Sequence, residues 1–467
     1  MPPSLTELTN RAKALKAQGR FAEAIEAYRE IVRIAPGNGA VLHNLAAALG
    51  DAGQNREAVE TAKRAFATGL DAPETWLVLA RALLSLERLS EAESAFRGVI
   101  ARRPVDTTAH RELAQLIWMR TGDVEKALAE LNKAIKQFPD TLDLRLARAH
   151  VQGQTGNAEA EYAEVLEVLS RSGGAPMVEL AATNSALAAG RFEAAINHAR
   201  RAMAYLSENT GVRQAYCRAL LAAGEAKEAS EVAGALHAEF PLEQFNIALL
   251  ATAWRILGDE RYHALYDYEA FVIPGELAMP EGWASRETYL KDLVEALDRH
   301  HQYTTHPFSQ SVRHGSQLPS INTIEEPALK AYAEAAAGPI RRYIEAVGEG
   351  PDPLRRRNRG RFEIISAWSI RLPASGFHID HVHPDGWLSS ACHLRLPETI
   401  GDDAHAGWLK FGEPGIPTSP KLEAEHFVKP REGVLVIFPS YMWHGTVPFE
   451  GKTTRLTVAV DISPGRE

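Results

Sequence analysis

Three of the 17 histidines in this 467-residue chain, His378, His381 and His383, fall within six residues in the stretch GFHIDHVHPDGW. A fourth, His444, follows an apolar run in GVLVIFPSYMWHGTVPF, and Arg455 stands eleven residues later at the head of TRLTVAVDI. On an extended chain residues i and i+2 share a face, so His381 and His383 are placed to hold one ion while His378 and Asp380 are directed away. With His444 from a distant strand they make a facial set that leaves three positions open on iron, enough for a chelating 2-oxo acid and dioxygen. The far carboxylate of such a co-substrate needs a cation. Arg455 offers a planar fork that grips a carboxylate through two charge-assisted hydrogen bonds. Any one of these histidines alone would read as an ordinary core or surface residue, and only the constellation points to a metal.

The elements that must position these residues come late in the chain. After residue 360 the sequence turns to short strand-like runs, FEIISAWSIRL, GWLSSACHLRL, GWLKFG, GVLVIFP and TRLTVAVDI, separated by Gly and Pro, the pattern of a sandwich or barrel. Two stretches with apolar residues at helical spacing, RETYLKDLVEALDRHH and EPALKAYAEAAAGPIRRYIEAV, precede them. Further back, VIPGELAMPEGW has the composition of a connection, which puts a boundary near 265–280.

Everything before that boundary repeats. Ala24, Ala58, Ala92 and Ala127 follow one another at intervals of 34, 34 and 35, with Ala195 another 68 on and Ala229 another 34 beyond. Pro36, Pro104 and Pro139 each close a repeat twelve residues after its alanine. A helix pair of this length cannot bury its apolar face alone, and small residues at the crossings let successive pairs stack into a solenoid. About seven repeats reach residue 240, and the helical segment EQFNIALLATAWRILGDERYHALYDYEAF caps them. The segment 141–172 carries Glu161 where the period asks for alanine, so an irregular repeat is expected there.

The bulk numbers exclude several classes. No apolar run approaches the roughly 20 residues a membrane span needs, and the start of the chain lacks the apolar core of a signal peptide, so a cytoplasmic protein is the expectation. A net charge of −9 gives no broad basic field for nucleic acid, and the run Arg355, Arg356, Arg357, Arg359 and Arg361 reads as a solvated segment before a strand. Cys217 and Cys392 are the only cysteines, which argues against a disulfide framework or a thiolate metal cluster.

The period of 34 with its alanines resembles tetratricopeptide proteins. That resemblance implies a concave surface that binds a peptide or protein, with Tyr28, Trp76 and Phe96 as packing residues. The later half resembles the Fe(II)/2-oxoglutarate-dependent oxygenases, in particular their prolyl-hydroxylase-like branch, in which a first iron-binding His follows a Gly by five residues; here Gly376 leads to His381. The implied architecture is an α+β multidomain chain: a tetratricopeptide solenoid over 1–265, then a double-stranded β-helix (jelly-roll) oxygenase domain with flanking helices over 270–467. The implied site has His381, His383 and His444 as metal ligands for Fe(II), Arg455 as the 2-oxoglutarate clamp, and Ser389, Ser390 and His393 beside the co-substrate. Arg313 and Gln317, in HPFSQSVRHGSQ, are further candidates to face the site. Where most of the family has Asp, this chain has His383, and Asp380 and Asp385 are the candidates to supply the missing carboxylate. The implied function is a dioxygenase that hydroxylates a peptide or protein recruited by the repeats, as in the aspartyl/asparaginyl β-hydroxylases, which also join helical repeats to an oxygenase domain. The alternative is an interaction scaffold whose oxygenase-like domain is inactive.

Overall fold

The computed structural model describes residues 4–401 and 405–465. By packing they form two compact units. One takes the described residues up to Trp118 together with Asp123–Val151, and the other takes Met119–Gly122 and everything described from Gln152 on.

Among the described residues up to Glu239, seven helix pairs follow one another, from Leu5–Ala17 with Phe21–Ile34 to Thr210–Ala223 with Ala226–Glu239, and Gln244–Leu257 follows as a single helix. The helix Phe21–Ile34 shows why. Ala24, Ile25, Tyr28, Ile31 and Val32 recur at helical spacing and are its buried residues, while charged side chains take the other face. The periodic alanines, from Ala24 to Ala229, are all buried, as are Tyr28 and Phe96. The ring of Trp76 lies where a side chain at Gly98 would begin, so it too is a packing residue.

The expected irregularity at 141–172 is smaller than the sequence implies, because Leu142–Gln154 and Ala158–Arg171 are regular helices. Gly153, which has no Cβ, leaves room for the Glu161 carboxylate, whose Oε2 sits 2.0 Å from where that Cβ would be. Burial pushes the Glu161 carboxyl up to about 7.

The strands belong to the second unit: β1 (Ile273–Glu276), β2 (Val312–Arg313), β3 (Ser316–Leu318), β4 (Phe362–Leu372), β5 (Phe377–His378), β6 (Leu388–Arg395), β7 (Leu409–Phe411), β8 (His426–Val428), β9 (Val434–Pro439), β10 (His444–Thr446) and β11 (Arg455–Pro464). A six-stranded sheet runs β1-β9-β6-β11-β4-β3, and every neighbour in it is antiparallel. Opposite lie the short ladders β10-β7-β8 and β2-β5, linked by a bridge between His381, three residues past the end of β5, and His444 at the start of β10. All five strand-like runs read from the sequence are present. The stretch VIPGE, read as a connection, instead forms β1, where Pro274 and Gly275 are tolerated because the strand is at the sheet edge.

Alternation along β11 divides structure from chemistry. Leu456, Val458 and Val460 join an apolar core that also holds Tyr289, Leu293 and Ile340 from the helices Arg286–His300 and Tyr332–Val347. Arg455, Thr457, Ala459 and Asp461 face the other way, into a cavity between the two sheets. The same core takes in Leu249 and Leu250 of the last solenoid helix, from which Thr252 accepts a hydrogen bond of 2.9 Å from Trp443 Nε1. Among the described residues no helix is long and apolar enough to cross a membrane.

A carboxyl group held neutral by burial favours the folded state at low pH and loses that advantage as pH rises from its unfolded value through about 7. Glu161→Ala is therefore expected to stabilise the protein more at pH 8 than at pH 5, by roughly 1–2 kcal/mol after discounting for partial exposure. Thermal unfolding of the variant and wild type at the two pH values measures the difference.

Candidate metal centre

The segment HIDHVHP does not run as a regular strand. β5 stops at His378, and Pro384 has no amide hydrogen to give to a ladder. Backbone bonds pin it all the same. His381 N donates to His444 O at 2.9 Å, His444 N returns a bond to His381 O at 3.1 Å, and His383 N donates to Ser440 O at 3.0 Å. The imidazoles of His381, His383 and His444 thereby converge, with one nitrogen from each lying within 4.8 Å of the others.

Each ring is held by its far nitrogen. His381 Nδ1 lies 2.8 Å from Ile379 O, and His444 Nδ1 lies 2.9 Å from Met442 O. His383 Nδ1 lies 2.8 and 3.0 Å from the two carboxylate oxygens of Asp461. Carbonyl and carboxylate oxygens only accept, so Nδ1 carries a hydrogen in all three rings and the Nε2 atoms point inward. Burial holds His381 down to about 3 and His444 well below the ordinary imidazole range, so both are neutral, the state in which a ring nitrogen binds a metal. His381 Nε2 and His383 Nε2 are 3.2 Å apart. Ligand nitrogens at about 2.1 Å from one ion and at right angles to each other stand about 3 Å apart. The donor set therefore fits a divalent transition metal.

The cavity, about 610 Å³, continues from the triad to Arg455. This guanidinium is 1% exposed, donates from Nη1 to Gly407 O at 2.9 Å and stands 5.8 Å from the Phe449 ring. Among the described residues no carboxylate pairs with it, and burial pulls it down to about 10. Its Nε, His393 Nδ1 and Thr457 Oγ1 are buried without hydrogen-bond partners, although all three residues line the cavity. A buried, unpaired cation ringed by unsatisfied polar atoms is costly unless an anion enters, and a dicarboxylate meets that need.

Several placements differ from the strand reading. His378 was expected to face away but lines the same cavity, its Nδ1 2.9 Å from Ser311 Oγ, because the chain leaves β-geometry after it. Asp380 does face away and pairs with Lys410 at 2.8 Å. Asp385 lines the cavity but does not belong to the cluster of possible ligands. Ser390, His393 and Arg313 are cavity residues, whereas Ser389 is turned to Asp461 and Ser440, and Gln317 donates to Gln310 Oε1 at 3.3 Å. Nor is the arginine run simply solvated: Arg357 donates to Gly386 O at 3.1 Å. Asp461 and Thr457 were not singled out from the sequence. The signal was there in RLTVAVD, since both stand at even offsets from Arg455 on one strand.

Residues 366–461 match the family model described as "Putative 2OG-Fe(II) oxygenase", a span that contains the triad, Arg455 and Asp461. Residues 15–74, 77–141 and 186–253 match tetratricopeptide repeat models. The chain joins tetratricopeptide repeats to a 2OG-Fe(II) oxygenase domain. That family implies Fe(II) and 2-oxoglutarate. No curated protein matches the chain. Among solved structures, a tetratricopeptide repeat protein from Parabacteroides merdae is similar at 15% identity, covering 53% of this chain and 98% of that one, with a TM-score of 0.40. MamA is similar at 20% identity over 34% of this chain and 94% of its own, with a TM-score of 0.29. YrrB, described as a repeat protein with an unusual peptide-binding site, is similar at 14% identity over 38% and 90%, with a TM-score of 0.28.

The oxygenase domain keeps Arg455 buried and unpaired at a cost to its own stability. Arg455→Met removes the charge and keeps the bulk, so the metal-free variant is expected to melt above wild type, by roughly 1–3 kcal/mol of stability. Equal or lower melting in calorimetry would show that Arg455 is already satisfied.

Proposed function

We propose that the chain is an Fe(II)- and 2-oxoglutarate-dependent dioxygenase that hydroxylates a peptide or protein recruited by its repeats, with the solenoid over 1–265 and the catalytic domain over 270–467. The observation that carries this is the shared cavity. A triad of converging imidazoles at one end and a buried arginine without a carboxylate partner at the other match a metal and the far carboxylate of an anion chelated to it. In this proposal His381, His383 and His444 hold the iron, Arg455 clamps 2-oxoglutarate, and His393 and Thr457 offer it their unpartnered polar atoms. Ser389 serves the site through Asp461 rather than by touching the co-substrate. Iron with 2-oxoglutarate and O2 would supply oxidation of a substrate C–H bond, and the chain's contribution is to orient the reactants and exclude water.

Tetratricopeptide repeats generally bind peptides or proteins, which supports a substrate of that class. Arg313, Ser311 and Trp368 line the cavity and are candidates to meet it. The two cysteines are free and buried, in keeping with a reducing, cytoplasmic setting. An inactive scaffold would have no use for a desolvated arginine that no carboxylate pairs with, which favours the enzyme.

Two measurements test the proposal. Anaerobically iron-loaded protein given 2-oxoglutarate and then oxygen is expected to form succinate, and His444→Ala is expected to form none. Arg455→Met is expected to raise the KM for 2-oxoglutarate by two or more orders of magnitude, as the loss of a buried charge-assisted pair demands. Succinate formation unchanged in either variant would overturn the assignment.

A further inference from the structure

The triad holds no carboxylate, yet the structure puts one a single hydrogen bond behind it. We propose that Asp461 supplies, through His383, the negative charge that the ligand set itself lacks, as a positioning residue that sets the affinity and redox balance of the metal. This rests on the proposal that His381, His383 and His444 hold that metal.

His381 and His444 are tied at Nδ1 to neutral backbone carbonyls. His383 alone is tied to a carboxylate, at 2.8 Å. A carboxylate behind a ligating imidazole fixes its tautomer and makes Nε2 a stronger donor. Asp461 is held for this role. Ser389 Oγ donates to its Oδ1 at 2.9 Å, and Ser366 Oγ lies 3.4 Å from Oδ2. Its strand shifts register directly after it, the kind of bulge that re-aims a side chain. Among the described residues no lysine or arginine pairs with Asp461, so its charge is not neutralised elsewhere, in contrast to Asp380, which Lys410 neutralises at 2.8 Å.

The charges of the cavity agree. Of the charged residues lining the cavity, Arg313 and Asp385 offset each other; a divalent metal and Arg455 together carry three positive charges, and 2-oxoglutarate brings two negative ones. Without Asp461 the closed site would bury one excess positive charge, and with it the site is neutral. A neutral set is far cheaper to bury.

The test separates charge from geometry. Asp461→Asn keeps an acceptor for the His383 Nδ1 hydrogen and removes only the charge, whereas Asp461→Ala removes both. Anaerobic Fe(II) binding to the metal-stripped full chain, measured by competition with a chelator, is expected to weaken 10- to 100-fold in Asp461→Asn. The Fe(III)/Fe(II) midpoint potential of the loaded protein is expected to rise, because a nearby negative charge favours the ferric ion. Wild-type affinity and potential in Asp461→Asn would overturn the proposal even if Asp461→Ala were impaired, since the residue would then only hold the ring. Should Asp461→Asn fail to fold, Ser389→Ala loosens the carboxylate without removing it, and a loss of several-fold is expected there; no loss would count against the proposal. His444→Ala is the reference. If it binds Fe(II) as tightly as wild type, the metal centre itself is refuted, whereas its loss with an unaffected Asp461→Asn refutes only the role of Asp461.

Discussion

Three imidazoles turn their Nε2 atoms toward one point only if something else holds each ring by its Nδ1 hydrogen. In this chain two backbone carbonyls and one carboxylate do so, and the rest of the β-rich unit serves to keep those acceptors in place. The His381–His444 bridge ties the segment just past β5 to β10, so the same contact that links the two short ladders also brings two of the converging histidines together.

The strand β11 does the complementary work. One face is apolar and is locked between β4 and β6 over a core shared with the flanking helices. The other carries Arg455 at its start and Asp461 six residues on, about 20 Å apart at strand rise, so that one rigid element sets a cation at the far end of the cavity and an anion behind His383. The last solenoid helix belongs to the same packed unit through Leu249, Leu250 and Thr252, so the unit that carries the site is larger than its strands alone.

Much of this was legible in the sequence. The 34-residue alanine period gave the helix pairs, and the HxH, His444 and Arg455 pattern pointed to the residues that share the cavity. Two things were not legible. Parity failed at His378 because the chain leaves β-geometry between it and His381, which no residue type announces. Asp461 escaped because the carboxylate was sought near the ligands in sequence, at Asp380 or Asp385, whereas antiparallel pairing delivered it from a residue 78 positions beyond His383. Glu161 shows the same limit on a smaller scale: an ill-fitting residue was visible, but not that Gly153 across the helix pair had made room for it.

Every role proposed for this cavity depends on His381, His383 and His444 holding one metal ion. Crystals of the full chain loaded anaerobically with Fe(II) and measured on either side of the iron absorption edge test it most directly. A single anomalous peak bounded by the three Nε2 atoms is expected, with Asp461 on His383 and outside bonding distance of the metal. A peak ligated by Asp380 or Asp385, or no peak in this cavity, would contradict it.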